Sequence, residues 1–436
     1  MAAFWDNLRD GAFVTRERAR LVALGVLTAS LIGLLYILAT ATGLNDNTGR
    51  PIGTDFSNIY AAGTFVLEGE PAKPFDPAAQ HAREQAIFGA ATPFYGWHYP
   101  PFFLGLAALL ATMPYLTALA VWQGVTLVLY LIAIKAIVGT PSWPGLARPS
   151  TTSFSSASQD VDARHKAGHD GGWLLLALAY PAVVINLGHG HNGFLTAALF
   201  AGALLVLDSR PILSGILIGC LAYKPQFGVL IPLVLMTTGR WCVVAAAAAT
   251  VALMALAVTA LFGIDVWHAF IASGEFTRKV VLEQGGTGWH KIQSVFSWAR
   301  MWGAGIPLAY AAQAIATVTV AAALVLIWRS RAAFAVKAAA LLIGSILATP
   351  YSLDYDLMLI APAIAFLAAD AMTRGNAVPW EKTLLAALWL APLIARSFAQ
   401  FTFVPLGVPV MLLSFMWLLY RAVNSDAPGI IKSQAA

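Results

Sequence analysis

Charge is what this sequence has least of: 11% of its 436 residues are Asp, Glu, Lys or Arg, against roughly 25% in a soluble domain. No polar stretch is long enough to build a separate soluble domain, so one integrated unit is expected over residues 1–421, followed by a plain tail at 422–436. Cysteine is nearly absent. Cys220 and Cys242 both lie in apolar runs, which leaves neither a disulfide framework nor a thiolate metal site. No internal repeat is visible, and the polar, basic N-terminal lead precedes an apolar run too long for a cleavable signal. The formal charge of +5 is modest and sits on loop lysines and arginines, so nothing points to nucleic acid.

Apolar residues fill that space, at 59% of the chain, in repeated runs of roughly twenty residues. The chain therefore reads as an all-α polytopic membrane protein in a lipid bilayer. Residues 1–18 carry Arg9, Arg16 and Arg18 and read as a short amphipathic surface helix. Apolar spans follow at 19–42, 115–138, 172–188, 191–208, 211–224, 226–239, 241–262, 306–328, 334–349, 354–370, 381–399 and 402–420, about twelve in all. The segment 100–113 (PPFFLGLAALLATM) is apolar but short, and is expected to be a re-entrant or interfacial half-helix. With that assignment the basic loops fall on one side, which the positive-inside rule makes cytoplasmic, both termini included. The Ser/Thr/Pro/Gly-rich stretch 139–171 lacks apolar periodicity and reads as a disordered cytoplasmic loop. The run 211–238 is split because Tyr223-Lys224-Pro225-Gln226 stands near its middle. A lipid-facing ammonium there would cost about 2.5–3.5 kcal/mol or more, and the proline removes a backbone hydrogen bond.

This topology gathers six polar motifs on the opposite, extracytoplasmic face: GTDFSNIY (53–60), GWHYPPF (96–102), NLGHGHNGF (186–194), AYKPQFG (222–228), GWHKIQSVFSW (288–298) and TPYSLDYDLM (349–358). Asp55 reads either as the N-cap of a helix beginning there or as a general base in a partly apolar cleft. Lys224 either snorkels or supplies the cation for a phosphate, with Gln226 donating to the same oxygens. His290 is expected in a long loop able to cover a site. His98 either lines the cleft or caps the turn before Tyr99-Pro100-Pro101. His189, His191 and Asn192 fit sugar or phosphate contact as well as simple turn solvation, and His-Gly-His without a third ligand is poor zinc geometry, so no metal is expected. Asp354 and Asp356 stand two residues apart, which on a helix sends them to different faces, so at most one is expected to face the centre. Tyr99 and Tyr351 belong to the same lining.

Taken together, GTDFSNIYAAG, WHYPPFFL, GHGHNGFLTAALF, LAYKPQFG and ATPYSLDYDLMLIAPA resemble glycosyltransferase family 87, over residues 50–370. This bacterial membrane family includes polyprenol-phosphate-mannose-dependent alpha-1,2-mannosyltransferases. The resemblance implies a GT-C-like bundle in the bacterial inner membrane, with no cofactor and a site facing the periplasm. The expected reaction is transfer of a hexose, mannose first, from a polyprenyl-phosphate donor to a hydroxyl of a glycolipid or glycan acceptor, with inversion. It places the outward acid at Asp55 and the lysine of the KPQ motif at Lys224, with His290 in the late outward loop. A transporter or flippase for a lipid-linked sugar is the alternative, since broken helices and intramembrane lysines serve transport too.

Overall fold

The computed structural model describes residues 2–139 and 172–426. The expected loop at 139–171, apart from Gly139, and the tail beyond residue 426 lie outside the described residues. Every regular element among the described residues is a helix, and strand-like pairing is confined to isolated bridges. In chain order the helices are α1 (Ala2–Asp10), α2 (Arg16–Ala39), α3 (Thr54–Leu67), α4 (Pro77–Phe88), α5 (Leu104–Ala111), α6 (Tyr115–Gly139), α7 (Gly172–Leu178), α8 (Pro181–His189), α9 (Gly193–Leu205), α10 (Pro211–Cys220), α11 (Pro225–Gly228), α12 (Leu230–Thr237), α13 (Trp241–Phe262), α14 (Asp265–Phe276), α15 (Val295–Met301), α16 (Ile306–Arg329), α17 (Phe334–Leu347), α18 (Ile360–Arg374), α19 (Glu381–Thr402) and α20 (Gly407–Asp426).

Seven of these elements are long and apolar enough to cross a membrane, or eight when α7 and α8, bent by 47°, are counted as one span. The figure of about twelve read from the sequence exceeds this. Four of the expected spans are short here: α9, α10, the broken pair α11 and α12, and α17. A helix of 13 residues such as α9 reaches only about 20 Å, short of a hydrocarbon core of about 30 Å. Their apolar composition has another cause. Ala335, Ala338–Leu342, Ile343, Ile346 and Leu347 of α17 are all buried, so this helix is hydrophobic on every side because other helices surround it. By contrast α2 exposes Leu21, Leu31, Leu35 and Leu38, and α13 exposes Leu253, Leu256 and Leu261, the outward apolar surface that lipid covers. The amphipathic lead is also shorter than expected. It ends at Asp10, and α2 starts at Arg16 with the Thr15 hydroxyl accepting from Arg18 N at 3.2 Å.

The half-helix expected at 100–113 is a turn of tighter helix (Pro101–Phe103) running into α5. It packs along α3, and a side chain at Gly63 would strike the backbone of Ala107. Close approach of two short helices thus depends on that glycine, and it holds the start of α3 against the rest of the fold.

At the far ends of α18, α19 and α20, four charges close a ring. Arg374 bonds Asp370 (3.0 Å) and Glu381 (2.6 Å), and Arg421 bonds the same two carboxylates at 3.1 Å each. Asp356, just before α18, and Asp370 are fourteen residues apart in sequence, about 20 Å along a helix. The ring and the polar motifs therefore occupy opposite ends of the bundle.

Candidate active site

All six polar motifs reach one cavity of about 320 Å³, a size suited to a small organic ligand. Thr54, Asp55 and Asn58 come from the first motif, Gly96, His98 and Tyr99 from the second, and His189 and His191 from the third. Lys224 and Gln226, then Lys291, then Tyr351, Tyr355 and Asp356 come from the remaining three.

Asp55 stands in the first turn of α3, where the helix dipole favours a carboxylate. It is not the N-cap: Gly53 occupies that position with a left-handed φ of 72°. The carboxylate accepts no hydrogen bond among the described residues, and its nearest ionisable neighbour among them is the imidazole of His189, with Oδ2 4.0 Å from Nδ1. The chain brings the two together at Gly190, whose φ of 64° ends α8 and whose Cβ, were there one, would lie 2.5 Å from Cβ of Phe56. Only glycine allows the α8 terminus to meet the α3 terminus so closely. Burial raises the Asp55 carboxyl above its ordinary value and Asp354 adds to this, while His189, Lys291 and Arg396 oppose it. A desolvated carboxylate with free lone pairs is a better proton acceptor than one in water.

The break expected at residues 223–226 is present. A 3-10 turn ends at Tyr223, Lys224 is the pivot, and Pro225 opens α11. The ammonium is not free, however. Lys224 Nζ donates to Asp356 Oδ1 at 2.6 Å, both side chains being buried, and Asp356 Oδ2 accepts from Leu353 N at 3.0 Å. The faces of Tyr355 and Phe227 flank the nitrogen at 5.3 and 5.6 Å. The charge expected to meet a phosphate is thus neutralised internally, as a buried ion must be.

Other cations stand open. Arg50 and Lys291 line the cavity without an ion pair among the described residues. Arg396 lines it as well, its Nε bonded to Asp354 Oδ2 at 2.6 Å and its Nη2 3.4 Å from His189 Nε2. Arg50 is presented by a turn in which Asp46 Oδ1 accepts from Thr48 N and Arg50 N. Lys291 is fixed by the adjacent bridge of Ile292 to Leu353 and by Gln293 N donating to Ser352 O at 2.7 Å.

Aromatic rings make the floor. His191 stacks on Tyr355 with centroids 3.5 Å apart, and Tyr99 OH lies 3.3 Å from His191 Nε2. Burial lowers the His98 imidazole to about 4, so it is neutral, with Nδ1 2.9 Å from Thr277 Oγ1. Behind the wall, buried Glu84 accepts from Tyr95 N at 3.1 Å, and burial pushes its carboxyl up to about 7. A raised carboxyl favours the folded state at low pH, and this advantage is lost as pH climbs from the unfolded value towards 7. Glu84→Gln is therefore expected to melt at the same temperature at pH 5 and pH 8 more nearly than the parent protein does, in thermal scans of detergent-solubilised protein.

Three expected lining residues stand outside the cavity wall. His290 lies beside Lys291 but it is the lysine that lines. Asn192 is wholly buried behind His191, its amide without a hydrogen-bond partner. Asp354 sits behind Arg396, leaving Asp356 as the one member of the pair at the wall. Sequence reasoning missed Arg50, Tyr95, Lys291, Tyr355 and Arg396 as site residues. Arg396 had a signal: a lone arginine inside the apolar run 381–402 is an expensive residue that calls for a partner. Among the described residues no group of three or more His, Cys, Asp or Glu side chains is placed to hold a metal ion.

Residues 97–350, more than half of the chain, match the family profile described as Glycosyltransferase family 87. Short stretches are similar to a protein of another kind, the error-prone DNA polymerase of Rhodopseudomonas palustris. In strain BisA53 the match is 64% identical over 31 residues, 7% of this chain and 3% of that protein, and in strain HaA2 68% over 31 residues with the same shares. The chain spans about 3% of the length of these curated relatives, and a likeness of that extent carries no argument about function. No solved structure matches the chain.

Proposed function

The chain belongs to glycosyltransferase family 87, and from that premise we propose that it transfers a hexose, mannose first, from a polyprenyl-phosphate donor to a hydroxyl of a glycolipid or glycan acceptor. The observation that carries the reading is Asp55, a carboxylate without a hydrogen bond among the described residues, in one cavity with Arg50 and Lys291, two cations without an ion pair among those residues. A carboxylate of this kind takes the proton of an attacking hydroxyl, and cations of this kind receive the negative charge of a departing phosphate.

In the reaction the acceptor oxygen bonds to the anomeric carbon as its proton passes to Asp55. The bond from that carbon to the phosphate oxygen breaks, and the electron pair leaves with the polyprenyl phosphate. Arg50, Lys291 and Arg396 hold the leaving group, with Gln226 as an amide donor. One base on one face corresponds to inversion. Lys224 takes a different part from a direct phosphate ligand: its bond to Asp356 fixes the segment 351–356, which carries Tyr351 and Tyr355. The positive-inside rule puts the cavity outside the cytoplasm, in the inner membrane of a bacterium, with the charge ring of α18, α19 and α20 on the cytoplasmic side.

The test is reconstitution in liposomes with radiolabelled polyprenyl-phosphate mannose and a membrane lipid extract as acceptor. Label is expected in a new covalent product. Arg50→Gln and Lys291→Gln are each expected to raise KM for the donor about tenfold, the effect of one charge-assisted hydrogen bond. Donor that crosses the bilayer chemically unchanged, with no labelled product, would overturn the reading in favour of transport.

A further inference from the structure

The contact of Arg396 with His189 bears on a question the sugar-transfer reading leaves open, namely what orients the base. A guanidinium has five N–H donors and no acceptor. At 3.4 Å from Arg396 Nη2, the Nε2 atom of His189 has to be the acceptor, so the imidazole proton resides on Nδ1. That Nδ1–H donates to Thr54 Oγ1 at 2.7 Å, and Nδ1 lies 4.0 Å from Asp55 Oδ2. Arg396 is itself fixed by Asp354 at 2.6 Å. The result is a line of side chains, Asp354 to Arg396 to His189 to the pair Thr54 and Asp55, in which each member dictates the proton position of the next.

We propose that His189, held by Arg396 in its Nδ1–H tautomer, is a positioning residue that holds an N–H, bonded to Thr54, beside the Asp55 carboxylate and sets the pH at which Asp55 works as a base. The proposal rests on the sugar-transfer reading above only for the consequence in rate. The proton that Asp55 removes from the acceptor therefore stays on Asp55, since Nδ1 of His189 already bears one and the Nε2 lone pair is engaged. Separations in unliganded sites commonly shorten when substrate binds, which brings the 4.0 Å approach towards hydrogen-bond length.

The groups that face Asp55 come from every element around it. His189 reaches it from α8, Arg396 from α19 and Lys291 from the turn at 289–291, and these three favour the carboxylate. Asp354 opposes it from the segment before α18. Lys224 and the phenols of Tyr95, Tyr99, Tyr115, Tyr351 and Tyr355 complete the surround. Removing the His189 N–H leaves the other groups in place, so its effect is separable.

Dicyclohexylcarbodiimide modifies protonated carboxyl groups, and peptide mass spectrometry reads its rate at Asp55 as a function of pH in the intact protein, with no sugar donor needed. His189→Gln carries its amide towards the Nε2 position and leaves Nδ1 empty. It is expected to raise the labelling midpoint of Asp55 by about one pH unit, the magnitude of one hydrogen bond to a charged group. His189→Asn keeps an N–H near the Nδ1 position and is expected to stay close to the parent midpoint. In the transfer assay the acidic limb of kcat should move by the same amount in His189→Gln, with donor KM changed less than about twofold. An unchanged labelling midpoint in folded His189→Gln would overturn the proposal. Equal shifts in His189→Asn and His189→Gln would overturn it too, because the N–H at Nδ1 would then be irrelevant. Should His189→Gln not fold, His189→Ala replaces it, since it too removes the Nδ1–H while leaving Arg396 in place, and no movement there again counts against the idea. A parent protein that labels as described yet transfers no sugar would refute the transfer reading while leaving this one intact.

Discussion

Asp55→Asn is expected to lower kcat for sugar transfer by about two to four orders of magnitude, the range for loss of a positioned general base, and to leave the fold intact. Asparagine has the shape of aspartate, and the Asp55 carboxylate accepts no hydrogen bond among the described residues, so the substitution breaks none. Stability should even rise slightly at neutral pH. The carboxyl is raised above its ordinary value, first by burial and then by Asp354, so the folded state favours its protonated form. The advantage of the protonated form exists at low pH and disappears as pH climbs through the folded value, which leaves the ionised group a net burden near pH 7. An uncharged amide is free of that burden. The same shift predicts the pH profile of the parent enzyme: because the base has to be ionised, the rate should fall on acidification at a pH above that of an ordinary aspartate. Donor binding, read from KM, should hardly change. Wild-type kcat in a folded Asp55→Asn protein would remove the base from the mechanism.

Lys224→Met is expected to destabilise the protein by about 3–5 kcal/mol, the usual cost of leaving one charge of a buried pair behind. Asp356 would then be a buried carboxylate with Leu353 N as its remaining partner. Lys224→Met combined with Asp356→Asn should recover most of the loss. The asparagine oxygen still accepts from Leu353 N, and no charge remains to be neutralised. Thermal unfolding in detergent, with both single variants and the double variant, supplies the cycle. A single variant as stable as the parent would mean that the 2.6 Å contact contributes nothing. The double variant has a second use. Net charge in the cavity is unchanged, so if Lys224 serves the wall and not the donor, KM for the polyprenyl-phosphate sugar should stay within about threefold of the parent. A rise of tenfold or more would return Lys224 to the phosphate.

The sequence exposed the site better than it exposed the architecture, and the reasons are physical. Polar residues in a membrane chain are costly, so GTDFSNIY, GHGHNG, YKPQ and SLDYD stood out against apolar surroundings, and all of them reach the cavity. The count of about twelve spans is not confirmed at α9 and α17, because hydropathy reports burial without saying whether lipid or protein does the burying. The bond between Lys224 and Asp356 joins residues 132 positions apart, and no local pattern announces such a partner. Arg396 was legible in principle. An arginine in a long apolar run calls for a partner, and here it points at Asp354 and His189.

The ring formed by Asp370, Arg374, Glu381 and Arg421 has a mechanical side. Sliding any one of α18, α19 and α20 along its axis pulls at least two of the four contacts out of reach together, so the three helices travel as one block. Asp354, Asp356 and Arg396 ride on that block, and their mutual spacing is insulated from thickness changes in the surrounding lipid. Breathing of the cavity to admit a bulky substrate is left to parts outside that block, α2 at the periphery among them.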